Sequence, residues 1–459
     1  MALSGLDIYK LLPKTNCRQC NFATCLAFAM QLAKKSVSIE KCPHLSADAK
    51  AALEASSLPP VKLVTVGTGE RKLEIGNETV MFRHEEKFHH PCGLGFIIDD
   101  SESDELIKEK LRRINLFKFE RVGQELNVDL VAVRQKGTAA RFIEAVKVAS
   151  ANTDLALVLI SDNAAAIKSA LTANVHGFVG AGLKPAPTES LKDKRPLIYG
   201  AGKNNLTEFA ALAKEFNVPL VVSAPDLEEL SAMTAELSRQ GVNDLVLDTG
   251  GKPVAQKIWD LTQARRQALK KSNRSLGYPF LAAVETDDPF TAAVEAAALA
   301  CKYASIVLIK GTEPWQAVSL MTLRQNIYTD PQKPLQIEPK LYPVGDAGKD
   351  SPLLVTTNFS LTYYTVLGEV EASKVPSYIL AVDTEGMSVL TAWAAEKFTP
   401  EKIASAIEKF GVAEAVSRKK LVLPGYVAVL SGELEEKSGW QVLVGPKEAA
   451  GIPSFLKNM

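Results

Sequence analysis

The sequence predicts an α/β chain: a small N-terminal cysteine module, a central TIM (β/α)8 barrel and a C-terminal Rossmann-like or flavodoxin-like domain. Three observations carry this. Eight short apolar runs recur between residues 94 and 309, spaced by 23 to 41 residues and each followed by a helical pattern. Four of the six cysteines fall within 26 residues ahead of those runs. A second, shorter series of apolar runs begins after a Pro-rich, charged stretch at 330–352.

The chain has 459 residues, 46% hydrophobic and 23% charged, the mix of a soluble globular protein of about three domains. Lys+Arg and Asp+Glu are both 53, so no net field draws it to nucleic acid or an anionic membrane. No run of 18 apolar residues is present to span a bilayer. Met1 to Asp7 meets an acid at once, without the basic flank and apolar stretch of a signal peptide. A cytoplasmic protein is expected.

Residues 1–58 form the first module, with a helical stretch from Ala47 to Ala55 and a break at Leu58-Pro59-Pro60. Residues 59–329 make the second domain. It opens with alternating segments at Val61–Val66, Lys72–Ile75 and Thr79–Phe82, read as strands joined by tight turns. The eight runs follow at Gly95–Ile98, Leu130–Val133, Leu155–Ile160, Pro196–Tyr199, Pro219–Val222, Leu245–Leu247, Phe280–Val284 and Ser305–Ile309. Their near-continuous apolar character suits parallel strands buried on both faces. Eight βα units over this length match a TIM barrel. An open doubly wound sheet needs fewer strands and a Gly-rich phosphate loop after the first, which is absent. Residues 330–352 read as a linker. The third domain, 330–459, has strand patterns at Leu353–Thr356, Tyr378–Val382, Leu421–Leu423 and Gln441–Val444. Helical patterns at Ser388–Lys397 and Pro400–Phe410 lie between them, the latter opened by a Thr399 cap and a first-turn proline.

Cys17, Cys20, Cys25 and Cys42 have the spacing C-x2-C-x4-C-x16-C, with Pro43 after the last. In a reducing compartment such clustering reads as metal binding before disulfides. Four thiolates suit a 4Fe-4S cluster; structural zinc, stapling a module too small to stabilise itself, is the alternative. The second close pair usual for zinc is missing. Cys92, after His89-His90-Pro91, has nothing to complete a second site, and Cys301 reads as a small buried hydrophobe.

Leu12-Pro13-Lys14-Thr15-Asn16-Cys17-Arg18-Gln19-Cys20 and Cys25-Leu26-Ala27-Phe28-Ala29 resemble the 4Fe-4S module of the large (gamma) subunits of corrinoid iron–sulfur proteins. The resemblance extends over essentially the whole chain. It is strongest in Val355–Tyr363, in Asp383–Trp393 and in Gly445–Ala450. It implies a methyl carrier of the reductive acetyl-CoA pathway, a component of a methyltransferase system more than a stand-alone catalyst. In that chemistry a Co(I) corrinoid accepts a methyl group from methyl-tetrahydrofolate on a separate methyltransferase. Methyl-Co(III) then donates it to acetyl-CoA synthase/CO dehydrogenase, and the cluster reductively reactivates Co(II). The implied partners are a small subunit in a heterodimer, that methyltransferase, the synthase, and a low-potential electron donor such as ferredoxin.

By the same resemblance the C-terminal domain binds the cobamide. Thr356 at a strand end, Thr362 in the following helix and the turn Gly386-Met387-Ser388-Val389 are implied to contact it. Ala449 after the last strand and Thr391, on a helix below the cobalt, complete the set. Many corrinoid proteins supply a lower-face histidine from an Asp-x-His-x-x-Gly loop. Here no histidine follows His176, so the cobalt is expected base-off. The barrel mouth carries Asp99-Asp100, Asp248–Gly251 and Glu285–Asp288 after strands, read as a solvated rim. A pterin-dependent TIM-barrel methyltransferase with a zinc module is the alternative reading of the whole chain.

Overall fold

The computed structural model describes residues 5–33, 36–46, 49–50, 53, 59–176 and 188–459. The helix expected at Ala47–Ala55 lies largely outside them. Two compact units are present, one of residues 1–118 and 127–328, the other of 119–126 and 329–459.

In the first unit all eight predicted runs are strands, and they close a parallel barrel in chain order. They are Gly93–Asp99, Leu130–Arg134, Ala156–Ile160, Leu197–Ala201, Leu220–Ser223, Leu245–Asp248, Phe280–Val284 and Ala304–Ile309. The eighth closes on the first, Ile306 opposite Gly93 and Ile309 opposite Phe96. Side chains alternate across a strand, so every second residue points into the barrel. Ile97, Ala132, Val158, Leu197, Val221, Val246, Ala283 and Leu308 accordingly share one buried cluster. Short strands Val64–Val66 and Leu73–Ile75 pair antiparallel and add Val64, Val66, Leu73 and Ile75 to that cluster, filling the barrel's N-terminal end. A β-carbon on Gly93 would lie 2.5 Å from Leu73 Cδ2, so a glycine is needed where the hairpin meets the barrel.

Thr79–Phe82, expected as a third strand, is irregular. Its backbone is spent on tertiary contacts instead: the Val80 carbonyl accepts from Arg265 Nε (3.1 Å) and Nη2 (2.8 Å). Arg265 also pairs with Glu78 at 3.1 Å, both side chains 8% exposed, and packs on the Phe88 and Tyr303 rings. Glu78 in turn accepts from the His89 and His90 backbone N–H groups.

The second unit is a five-stranded sheet. Its parallel strands Leu353–Thr357, Ser377–Val382, Lys420–Leu423 and Gln441–Val444 stand in the order second, first, third, fourth. An antiparallel edge strand, Leu341–Val344, pairs with Ser377–Leu380. The stretch 330–352 is therefore not simply a linker: Ile337, Tyr342 and Val344 are buried core, hidden from sequence reading by the surrounding prolines and charges. The hairpin of Lys118–Arg121 and Gln124–Asn127 turns through Val122 and Gly123, both at positive φ, and Val122 packs on that core. Helix Pro400–Lys409 begins as expected, with Thr399 Oγ1 accepting from the Lys402 N–H. The helix expected at Ser388–Lys397 is shorter, Val389–Ala394. Among the described residues no helix is long and apolar enough to cross a membrane.

Candidate cysteine centre and α/β cleft

Helices Gly5–Leu11 and Cys25–Ala33 pack together over Ile8, Leu12, Phe28 and Ala29. Cys20 and Cys25 are buried in this cluster, Cys42 borders it, and Cys17 is exposed. Between the helices the backbone is left-handed at Lys14, Asn16, Arg18 and Asn21, four non-glycine residues within eight positions. Each such residue costs of order 1–3 kcal/mol unless its surroundings demand it. Alternation of φ sign turns successive N–H groups toward one side, forming a concavity for an anion such as a thiolate cluster. The Gln19 N–H lowers the Cys17 thiol pKa by hydrogen bonding, the first step toward a thiolate ligand. Asn16 Oδ1 accepts from the Cys25 N–H at 2.8 Å, tying the loop to the second helix. Among the described residues no three His, Cys, Asp or Glu side chains converge as a single ion requires. The four-thiol donor set and the left-handed loop fit an iron–sulfur cluster.

Cys92 is fully buried, and burial pushes its thiol up to about 12, which makes it inert; Cys301 is half-buried.

The second unit holds an open cleft of about 260 Å³. It lies at the carboxyl ends of Leu353–Thr357, Lys420–Leu423 and Gln441–Val444, where the strand order reverses and such sheets bind ligands. Thr356, Thr362, Val389 and Ala449 line it together, with Leu361, Pro424, Tyr426, Gly445, Pro446 and Lys447 among the rest. Gly386, Met387, Ser388 and Thr391 do not line it. Gly386 sits at φ +74, and a β-carbon there would meet Gln336 Cγ at 2.6 Å, so its close approach is to its own chain. Met387 packs on the sheet core. Ser388 Oγ and Thr391 Oγ1 are 3.0 Å apart on the exposed first turn of Val389–Ala394.

Three features bear on what the cleft could hold. Thr356 is 1% exposed, yet its Oγ1 has no hydrogen-bond partner, and Thr357 and Ser360 share that condition beside it. A buried hydroxyl left unpaired costs about 1–3 kcal/mol, so a ligand group that meets it gains that much. A β-carbon on Gly425 would lie 2.6 Å from the Gly445 carbonyl, so two loops of the cleft touch backbone to backbone. Leu361, Leu390, Trp393 and Tyr426 leave apolar surface exposed around the opening. The lining contains no His, Cys or Met.

Sequence reading missed Asn358. It is 1% exposed, and its Oδ1 accepts from the Thr384 N–H (2.9 Å), the Thr384 hydroxyl (3.1 Å) and the Gly386 N–H (3.1 Å). Its Nδ2 donates to Gln336 Oε1 at 3.1 Å. The position, directly after a parallel strand, was the available signal.

The barrel mouth is a solvated rim only in part: Glu285 and Asp287 are exposed, but Asp100, Asp248 and Thr249 are buried. Two residues beyond the apolar inward set stand Asp99, Arg134, Tyr199, Ser223, Asp248, Glu285 and Lys310, the next layer of the same alternation. Arg134 grips Asp99 at 2.6 and 3.0 Å and reaches Glu285 at 2.6 Å. Tyr199 and Ser223 both donate to Asp248, which is 2% exposed. Asp99, Arg134 and Glu285 thus pair with one another, while Asp248 is held by two hydroxyls.

Fold and site together define a barrel protein with a thiol-rich module and a second, α/β unit that carries a cleft. A family model described as CO dehydrogenase/acetyl-CoA synthase delta subunit matches residues 63–456, and an Fe-S cluster model matches residues 12–44. The corrinoid/iron-sulfur protein large subunit of Moorella thermoacetica is 42% identical, over 100% of this chain and 99% of its own. The acetyl-CoA decarbonylase/synthase complex subunit gamma of Methanothermobacter thermautotrophicus is 36% identical, over 100% and 99%. The chain belongs to the family of these large and gamma subunits. A solved 7,8-dihydropteroate synthase from Vibrio fischeri, at 13% identity, covers 58% of this chain and 99% of its own, with a TM-score of 0.38, too slight a likeness to bear on function.

Proposed function

We propose that this chain is the methyl carrier of the acetyl-CoA pathway, binding a corrinoid in the cleft and a 4Fe-4S cluster on Cys17, Cys20, Cys25 and Cys42. When bound, the corrinoid supplies the methyl-accepting and methyl-donating metal centre, and the cluster supplies a low-potential electron. The observation that carries this is the cleft itself: an apolar opening at the switch point of a flavodoxin-like strand order, with a buried Thr356 hydroxyl awaiting a partner. Thr356 and Thr362 offer hydroxyls to the amide arms. Val389, Ala449 and Gly445 give the macrocycle edge a surface without bulk. The turn Gly386-Met387-Ser388 and Thr391 act from behind, setting where Val389 stands.

The pathway reading brings a small subunit and the synthase as partners. A separate methyl-tetrahydrofolate methyltransferase and a ferredoxin-type donor complete the set, all in the cytoplasm. An absorption spectrum of anaerobically purified protein should carry both cluster and corrinoid bands; a zinc-stapled pterin enzyme would carry neither.

The cleft lining and residues 177–459 contain no histidine. Electron paramagnetic resonance of the cobalt(II) form is therefore expected to lack nitrogen splitting on its axial lines. A nitrogen triplet would remove the base-off assignment. Replacing Thr356 by valine separates ligand binding from folding. The hydroxyl has no protein partner to lose and its burial already costs stability, so the apoprotein should melt no lower than wild type and up to a few degrees higher, while corrinoid affinity falls about fivefold to tenfold. Unchanged affinity would place the corrinoid elsewhere.

A further inference from the structure

We propose that the exposed edge of the cysteine module, centred on Cys17, is a docking surface for an acidic one-electron carrier protein. The inference rests on the reading of the four cysteines as cluster ligands. Cys17 is the exposed one of the four; Cys20 and Cys25 are buried and Cys42 is half-buried. An electron entering through a ligand sulfur therefore meets the solvent at Cys17. Residues 14 to 19 are all exposed. Gln19 Oε1 and His44 Nε2, 2.8 Å apart, hold the Cys42 loop alongside, so the two loops present one face.

That face is cationic. Lys14 and Arg18 flank Cys17, and Lys41 precedes Cys42; the acid on these loops is Glu40, and all four side chains belong to exposed residues. Lys14 is steadied by the Tyr9 ring, its Nζ 5.6 Å from the centroid. Through residue 46 the module has six Lys and Arg against Asp7 and Glu40, in a chain whose formal net charge is zero. Neutrality overall thus conceals a positive end that carries the redox ligands. Opposite charge on a partner raises encounter rates by roughly 10- to 1,000-fold at low salt and orients the approach. The step is one electron: the carrier is oxidised, the cluster is reduced, and no bond or proton moves.

The test is stopped-flow reduction of the cluster in the purified holoprotein, comparing wild type with Lys14→Glu/Arg18→Glu. Two donors serve: a reduced bacterial ferredoxin of acidic sequence and the reduced methyl viologen cation. With ferredoxin the wild-type rate should fall about tenfold from low to high ionic strength. The variant should be about tenfold slower at low salt and nearly insensitive to salt. With viologen, itself a cation, the variant should be no slower than wild type. Equal slowing with both donors, or no slowing with ferredoxin, overturns the surface: the cations would then tune the cluster and not the partner. Iron content separates this from the underlying reading, because a wild type without iron overturns the cluster itself. If the double reversal costs iron, Lys14→Gln/Arg18→Gln carries the test, with about threefold slowing expected with ferredoxin.

Discussion

Replacing Cys20 by alanine is expected to lower bound iron from about four atoms per chain to fewer than about one, with corrinoid content unchanged. Cys20 is buried among Ile8, Leu12, Phe28 and Ala29, so alanine leaves little cavity and the apolar contacts survive. What is lost is a ligand, and with it the reason for the left-handed residues Lys14, Asn16, Arg18 and Asn21. Metal binding in so small a module is folding free energy. The segment 1–58 should therefore become sensitive to protease in the variant, while the barrel and the second unit keep their melting behaviour. Corrinoid should be retained because the cleft proposed for it is built wholly from the second unit. The measurement is iron and cobalt per chain with limited proteolysis beside it. Stoichiometric zinc without iron in the anaerobic wild type would sink the cluster. Joint loss of iron and corrinoid in the variant would sink the independence of the two sites.

The barrel was legible because a parallel strand buried on both faces has no polar positions to blur it: Leu157–Ile160 or Ile306–Ile309 can be read only one way. The cysteine spacing was legible because ligands cannot be substituted. The antiparallel strand Leu341–Val344 was not, since an edge strand needs apolar residues on one face only and this one contains Pro343. Hairpin Lys118–Asn127 failed likewise, its strands being polar and only half exposed. Thr356, Thr362, Val389 and Ala449, implied by the resemblance, stand together in the lining of one cleft. The resemblance implied Gly386 as a cofactor contact; the neighbour that fills its β-carbon position, Gln336, is far off in sequence and could not be read there. The barrel mouth deceived for a related reason: Asp248 looks like any loop acid until Tyr199 and Ser223 are seen to donate to it.

Substituting leucine for Asn358 is expected to speed corrinoid loss by more than about tenfold and to destabilise the second unit by about 2–4 kcal/mol. One oxygen there satisfies the Thr384 N–H, the Thr384 hydroxyl and the Gly386 N–H, and leucine satisfies none of them. Each buried donor left without a partner costs about 1–3 kcal/mol, though relaxation of the loop recovers part of it. That relaxation is what the cofactor would feel. Gly386 is held at φ +74 against Gln336, and Val389, three residues on, lines the cleft. A turn that drifts carries Val389 and the start of its helix with it. Aspartate in the same place keeps the accepting oxygen, and the Gln336 amide can rotate to donate to it. Its carboxylate also meets Asp383, whose Oδ1 stands 3.4 Å from Nδ2 in the native chain. Asn358→Asp should therefore retain corrinoid better than Asn358→Leu and bind it more tightly as acid protonates the new carboxyl. Corrinoid release and melting temperature, followed side by side, decide the matter. If leucine and aspartate release the cofactor equally fast, the triple acceptor does not position the turn. If leucine lowers the melting temperature without changing release, the turn does not reach the cofactor.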